Sequence, residues 1–458
     1  MQIAPFGVEQ WMNEYETRCR HNLAETCCDS ITVEELLQLS GQGPEHLHEL
    51  LDMKLTYGAI EGSDRLRSAI AALYGHQTGE NTLVTHGAIG ANQLVYLALV
   101  EPGDHVVSVV PSYQQHTSIP ESLGAKVTRV PLREEHGWQL DVDELVGAIT
   151  PGTKVVSLTN PNNPTGALLK RPTLQTIADA CERAGAWLLC DEVYRGIDQQ
   201  GTGTTVSVVD LSDRAIAVGS MSKAFSLAGL RLGWITGPAG LLHDVTIHRD
   251  YNTISVGMID DHLASLALEN AEAILDRNRA LVRANLATLA AWVETESRVS
   301  WTRPQGGTVT LLRYDADLTS REFCVGLVEG AGSVMFTPGS ALGMEGFVRV
   351  GFGNNTAAFD VGLPLVTEYL DTLAAWVEME SRVSWTRPQG GTVTVLRYDA
   401  DLTSREFCVG LVEGAGSVMF TPGSALGMEG FVRVGFGNNT AAFNAGLPLV
   451  TEYLDTLS

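Results

Sequence analysis

Three short stretches hold the residues best placed to do chemistry. In GSMSKAFSLAGLRLGW, residues 219–234, Lys223 stands beside two serines, Ser220 and Ser222, and an apolar turn of Ala224 and Phe225. An ordinary lysine, with a pKa of about 10.4, is too protonated to react readily as an amine, and burial is expected to bring it down. A surface lysine is the plain alternative. Eight residues on, Arg231 can grip an anion through two parallel N–H bonds. In AWLLCDEVY, residues 186–194, Asp191 directly follows an apolar run. A charge there is costly to bury unless it is paired, although an aspartate would also suit a helix N-cap. In THGAIGANQ, residues 85–93, a strand-like run gives way to a helix-like one. The free N–H groups near Gly87, Ala88 and Ile89 then point at an anion, beside the positive end of the helix dipole.

These stretches need a scaffold, and the pattern around them predicts one. From residue 81 to 240, short apolar runs (NTLVTHG, DHVVSVVP, AKVTRVPL, TKVVSLTN, AWLLCDEVY, RAIAVGSMS, RLGWITGP) alternate with amphipathic stretches. Strands separated by helical crossovers imply an α/β fold with a mostly parallel sheet covered on both faces. Ligands of such sheets collect at the carboxyl ends of the strands, where the three stretches fall. Residues 259–292 read as one long helix leading away from the sheet.

Composition narrows the function. With 30 basic against 54 acidic side chains, the formal charge is −24, and a phosphate backbone would be repelled. Hydrophobic content of 44% is enough for a large packed core rather than a disordered chain. No apolar run nears the roughly 18–20 residues of a membrane helix, and the opening has no basic region followed by an apolar one. The expectation is a soluble, cytoplasmic protein with no nucleic-acid or membrane partner. Seven cysteines, an odd number with Cys27 and Cys28 adjacent, do not resemble a disulfide framework or a metal site. All seven are read as reduced thiols.

Taken in order with NPNNPTG at 160–166, the stretches around Asp191 and Lys223 resemble the fold-type-I pyridoxal-phosphate enzymes of the aminotransferase class I/II group. The resemblance covers the chain to about residue 372. It implies a large domain with a mostly parallel sheet, a smaller α+β domain, and pyridoxal 5′-phosphate as cofactor. It further implies that Lys223 forms the Schiff base and serves as acid/base, and that Asp191 keeps the pyridine nitrogen protonated. Tyr194 and Asn163 match the partners of the ring hydroxyl, and Tyr113 matches the aromatic residue that stacks on the ring. Ser220, Ser222 and Arg231 complete a phosphate cup with the amides near Gly87, Ala88 and Ile89. Tyr57 matches a tyrosine that reaches the phosphate of a neighbouring subunit, which implies a homodimer with sites at the interface. For Tyr57 and Tyr113, a tyrosine that merely packs is the alternative.

The chain departs from that pattern at its end. The segment 289–372 recurs at 373–456, an offset of 84 residues, with differences only at Thr295/Met379, Leu311/Val395, Asp360/Asn444 and Val361/Ala445. Two copies of a mixed unit match no helical or leucine-rich array, so a tandem duplication of one subdomain fits better. The expected organisation is an N-terminal segment (1–50), a cofactor-binding large domain with its bridging helix (51–288), a first C-terminal copy (289–372) and a second (373–458). The substrate carboxylate calls for a planar, bidentate cation. In the resemblance this is an arginine of FVRVGFG, hence Arg349 or Arg433. Arg349, 118 residues after Arg231 against 202 for Arg433, is the expected one. The displaced copy would expose an apolar face and promote association.

The motifs leave the reaction open. Transamination is the majority outcome in the group. The stretch VEQWMNEYETRCRHNLAETC also resembles the lead-in of capreomycidine-synthase-like, arginine-processing enzymes. That resemblance would make the substrate an arginine derivative, with Glu14, Glu25 and Asp29 facing a guanidinium and elimination with ring closure as the reaction. Solvated acids of an N-terminal helix are the alternative for these three. A non-catalytic binding module of the same fold is a further alternative.

Overall fold

The computed structural model describes residues 2–316, 318–330, 332–379, 383–385, 393–413, 418–435 and 440–457. The chain enters through a helix, Gly7–Tyr15, and a two-residue strand, β1 (His21–Asn22). Trp11 and Tyr15, four residues apart on one helix face, are both buried. Next come β2 (Thr82–Thr85), β3 (His105–Val110), β4 (Lys126–Pro131), β5 (Thr153–Thr159), β6 (Trp187–Asp191), β7 (Ala215–Ser220) and β8 (Gly233–Thr236). They form one seven-stranded sheet in the order β2-β8-β7-β6-β5-β3-β4. β8 runs antiparallel to β2 and β7, and the other pairs are parallel. Helices such as Gly87–Leu99 and Arg171–Ala184 connect and pack on these strands. β6 and β7 are therefore buried almost throughout, as their unbroken apolar runs require. Asp191 and Ser220 are the last residues of β6 and β7, and Gly87 lies two residues beyond β2.

The long helix expected over 259–292 is two helices, Met258–Glu269 and Ala271–Thr295. Asn270 separates them with φ −118° and ψ 29°, and its side-chain amide donates to the Leu266 carbonyl at 2.9 Å. An asparagine that satisfies the backbone locally can end a helix that apolar periodicity alone would continue.

The first C-terminal copy contains β9 (Val299–Trp301), β10 (Val309–Tyr314), β11 (Val334–Met335), β12 (Thr337–Pro338) and β13 (Phe347–Gly351). β12-β13-β10-β9 form a four-stranded sheet, while β11 takes β1 as a parallel partner. The N-terminal segment is thereby tied to this unit. The second copy contains β14 (Val383–Trp385), β15 (Val393–Tyr398), β16 (Thr421–Pro422) and β17 (Phe431–Gly435) in a separate sheet, ordered β14-β15-β17-β16. The registers match: Leu311 faces Arg349 in one sheet and Val395 faces Arg433 in the other. Leu396, Phe407, Leu411, Val432 and Val450 build a core cluster that belongs to the second copy alone. The repeat begins inside helix Ala271–Thr295 and begins again inside helix Thr356–Met379. The parts of the second copy at 380–382, 386–392, 414–417 and 436–439 lie outside the described residues. Among the described residues no helix is long and apolar enough to cross a membrane.

Candidate active site

A cavity of about 310 Å³ opens where the carboxyl ends of the sheet meet the N-terminal segment and the first C-terminal copy. It collects Lys223, Asp191, Tyr194, Tyr113, Asn163, Ser220, Ser222, Ala88, Ile89, Arg231 and Arg349 from the residues singled out in the sequence. Gly87, the first residue of helix Gly87–Leu99, sits beside them at φ +65°. Tyr57, Glu14, Asp29 and Arg433 are not part of its wall.

Lys223 lies just past β7, and its Nζ donates to Thr26 Oγ1 at 2.6 Å and to Cys27 Sγ at 3.4 Å. Backbone bonds from Cys28 to the Lys223 carbonyl and from Ile31 to that of Ser226 tie the N-terminal segment to this loop. The lowering expected from burial is outweighed in the free amine. Burial does pull it down, but Cys27, Tyr194 and Glu25 pull it up more strongly, and the free amine is held above the ordinary lysine range. The same surroundings raise the Cys27 thiol to about 11, burial leading and Lys223 opposing.

Asp191 is buried at the end of β6, and no helix follows it, so it is not a cap. Its carboxylate accepts from Asn92 Nδ2 at 2.9 Å and from the Val193 amide at 3.2 Å. His116 stands behind it, Nε2 at 3.6 Å from the carboxylate and Nδ1 at 3.1 Å from Tyr96 Oη. Tyr194 is buried, and among the described residues its hydroxyl has no hydrogen-bond partner within bonding distance.

The anion cup is built from a helix N-terminus, an arginine and two serines. Helix Gly87–Leu99 has no side-chain cap at its N-terminus, so its first N–H groups are free for a ligand. A Cβ on Gly87 would come within 3.3 Å of Arg231 Nη2, and a Cβ on Gly233 would strike the Gly87 carbonyl carbon at 2.4 Å. Arg231, itself at φ 49°, donates to Ser222 Oγ at 3.5 Å and to the Ala228 carbonyl at 3.0 Å. Ser220 Oγ accepts from the Ser222 amide at 3.3 Å.

Arg349 is 2% exposed and makes no ion pair among the described residues. It donates to Asn163 Oδ1 at 3.3 Å, Thr337 Oγ1 at 3.1 Å and the Ala24 carbonyl at 3.5 Å, while its Nε has no partner. Burial holds its guanidinium below the usual range despite the nearby Tyr194 and Glu25. Arg433 keeps the equivalent bond, to Thr421 Oγ1 at 3.0 Å, in the separate sheet of the second copy.

Of the three acids proposed to meet a guanidinium, only Glu25 lines the cavity. Glu14 pairs outward with Arg321 at 2.9 Å, and Asp29 faces Arg277 at 4.0 Å. The N-terminal helix instead contributes Glu9 and Glu16, one helical face away from Glu14. Glu9 accepts from the Tyr113 hydroxyl at 2.8 Å. Burial, then Glu25 and Glu9, raises the Glu16 carboxyl. Glu25 accepts from the Thr26 and Cys27 amides, and although burial pushes it up, Lys223 and these bonds hold it below the usual range. Sequence reasoning passed over Glu9, Glu16, Thr26, Cys27, Asn92 and His116. The i, i+7 spacing of Glu9 and Glu16 was the available signal for those two.

The family model for aminotransferase class I and II matches residues 33–362. Capreomycidine synthase from Streptomyces vinaceus is 29% identical over 370 residues, covering 80% of this chain and 94% of that protein. An arginine–pyruvate transaminase from Pseudomonas aeruginosa is 30% identical over 256 residues, covering 52% of this chain and 63% of its own length. The crystal structure of a PLP-dependent aminotransferase from Streptococcus suis superposes with a TM-score of 0.79 at 38% identity, over 81% of this chain and 99% of that one. The cofactor these comparisons imply is pyridoxal phosphate. The site fits it: an uncapped helix N-terminus beside an arginine suits a phosphate, an orphaned tyrosine hydroxyl suits a ring oxygen, and a buried carboxylate suits a cationic ring nitrogen.

Proposed function

The chain belongs to the aminotransferase class I and II family, and from that premise we propose that it acts at the α-carbon of an amino acid with a cationic side chain, as an aminotransferase. The observation that carries this reading is one cavity in which a buried arginine, without an ion pair among the described residues, and a lysine amine meet three glutamates besides Asp191. An amino acid of the arginine type brings a carboxylate for Arg349 and a cation for Glu9, Glu16 and Glu25, so each charge in the wall finds its complement.

In this reading the amides at Gly87, Ala88 and Ile89, with Ser220, Ser222 and Arg231, take the cofactor phosphate. Tyr113 would pack on its ring, Tyr194 and Asn163 would donate to its ring oxygen, and Asp191 would supply the counter-charge to its nitrogen. Bound pyridoxal phosphate supplies an electron sink for the pair left behind when the α-carbon loses its proton. Lys223 would hold the cofactor covalently and, released as a neutral amine, would take the α-proton on Nζ, with Thr26 Oγ1 within hydrogen-bond reach to steady it. Arg349 fixes the substrate carboxylate bidentately and so presents the α-C–H bond to that amine. Asn92 holds the Asp191 carboxylate in place, with His116 at 3.6 Å behind it.

The enzyme works as a cytoplasmic homodimer in this account. Tyr57 is 77% exposed, and Leu51 and Leu55 just before it in the chain are exposed too, as expected of a side chain that completes a neighbouring subunit's phosphate site. Elimination and ring closure of a hydroxylated arginine, in specialised metabolism, is the second reading. The similarity to capreomycidine synthase along 94% of that protein favours it. Incubating holoenzyme with arginine, 3-hydroxyarginine and a 2-oxo acid, with mass detection, separates the two. Amino transfer to the acceptor is the expected result, and failure of every acceptor to gain an amino group would overturn the transaminase reading.

A further inference from the structure

The two C-terminal copies have nearly identical sequences and different surroundings. In the first, residues 7–28 lie across the unit as a cover. The Trp11 indole donates to the Phe336 carbonyl at 2.8 Å, the Leu23 amide to Met335 at 3.0 Å, and β1 pairs with β11. Val334, Met335 and Phe336 are 1%, 0% and 1% exposed as a result. Their counterparts in the second copy are Val418, Met419 and Phe420. Met419 is 83% exposed, and among the described residues no backbone hydrogen bond engages 418–420. Leu426 and Met428 on the adjoining turn are exposed as well.

The chain has one N-terminal segment and two faces built to receive it. Whichever copy the segment covers, the other stays open, and exchanging segments between two chains leaves the same number of faces open. A chain cannot close this face from its own sequence or by trading covers with another.

We propose that the open face of the second copy, centred on Met419 with Leu426 and Met428 beside it, is an interface that takes the same face of a second copy of this chain. The rim charges suit it. In the first copy Arg321 pairs with Glu14 at 2.9 Å and Glu329 accepts from Tyr15 at 3.2 Å. The counterparts Arg405 and Glu413 are exposed and have no ion pair among the described residues. An isologous contact needs one face that carries both signs, and Arg405 and Glu413 supply them. Among the described residues, the second copy contributes none to the wall of the Lys223 cavity.

The test is sedimentation of the full-length holoenzyme beside Met419→Asp and Leu426→Lys, two substitutions at exposed positions. The expected result is a mass for the unaltered chain twice that of either variant, with equal specific activity. Equal masses would overturn the proposal. Met419→Cys distinguishes the geometry: mild oxidation should give a 419–419 disulfide between subunits, mapped by mass spectrometry. A bond from 419 to Cys19 would instead mean exchanged N-terminal segments and would overturn the same-face contact.

Discussion

Replacing Arg349 by alanine should separate the two copies functionally. Arg349 is buried beside the Lys223 cavity without an ion pair, and Arg433 sits in another sheet. A substrate carboxylate held bidentately accepts two hydrogen bonds from a charged donor, each contributing about 1.5–3 kcal/mol. Allowing for the partial loss of fit, Arg349→Ala should cost about 3–5 kcal/mol in transition-state binding. At about 1.4 kcal/mol per tenfold, that is a fall in kcat/KM of between about a hundredfold and several thousandfold. Arg349→Lys keeps the charge but loses the planar fork and should cost about 2 kcal/mol, about thirtyfold. Arg433→Ala should leave kcat/KM within about twofold. The assay is steady-state kinetics on cofactor-loaded protein with a fixed 2-oxo acid acceptor. Equal losses in Arg349→Ala and Arg433→Ala, or a loss confined to Arg433→Ala, would refute the assignment of the site to the first copy.

Other outcomes follow from the same geometry. Glu16→Gln should raise KM for arginine about tenfold while leaving that for a neutral amino acid unchanged. Because burial and the neighbouring acids raise the Glu16 carboxyl, the unaltered enzyme should lose this preference as pH falls, sooner than an ordinary glutamate would allow; a pH-independent preference would count against it. Tyr194→Phe removes a buried hydroxyl with no partner, so thermal unfolding should not move down while kcat falls about tenfold and the cofactor absorbance shifts in its pH dependence. Burial raises Asp198 from 3.8 to about 6 against the pull of Arg195, Arg283 and Arg279. An acid raised in this way contributes stability that is complete below about pH 4 and is lost as pH rises through about 6. Asp198→Asn should therefore gain about 2 kcal/mol over the unaltered protein at pH 7.5 and nothing at pH 4, measured by urea unfolding; parallel pH profiles would exclude it. Deleting 373–456 should leave specific activity intact, and loss of the folded enzyme would reverse the placement of the copies.

Much of the large sheet was legible because β6 and β7 are buried on both faces, which forces unbroken apolar runs, and because chemistry then falls at their ends, at Asp191 and Ser220. The Asn270 break was hidden because apolar periodicity continues on both sides of it. Glu9 and Glu16 were hidden for a different reason. The helix Gly7–Tyr15 is docked by contacts more than 300 residues apart in sequence, among them Trp11 with Phe336 and β1 with β11, and the i, i+7 spacing alone does not say which acidic face turns inward. The Lys223 amine misled because the flanking serines and apolar turn were visible, whereas Cys27, Tyr194 and Glu25, which raise it, arrive from other segments. Asn92 and His116 gave no sign, since each supports Asp191 across a tertiary contact.

The central claim is that Lys223 holds pyridoxal phosphate covalently at the carboxyl end of β7. Borohydride reduction of the holoenzyme, followed by proteolysis and mass spectrometry, tests it directly. The account predicts one pyridoxyl-modified peptide per chain, with the modification on Lys223 and none in Lys223→Ala. A colourless protein whose Lys223 peptide stays unmodified in the presence of excess cofactor would contradict it.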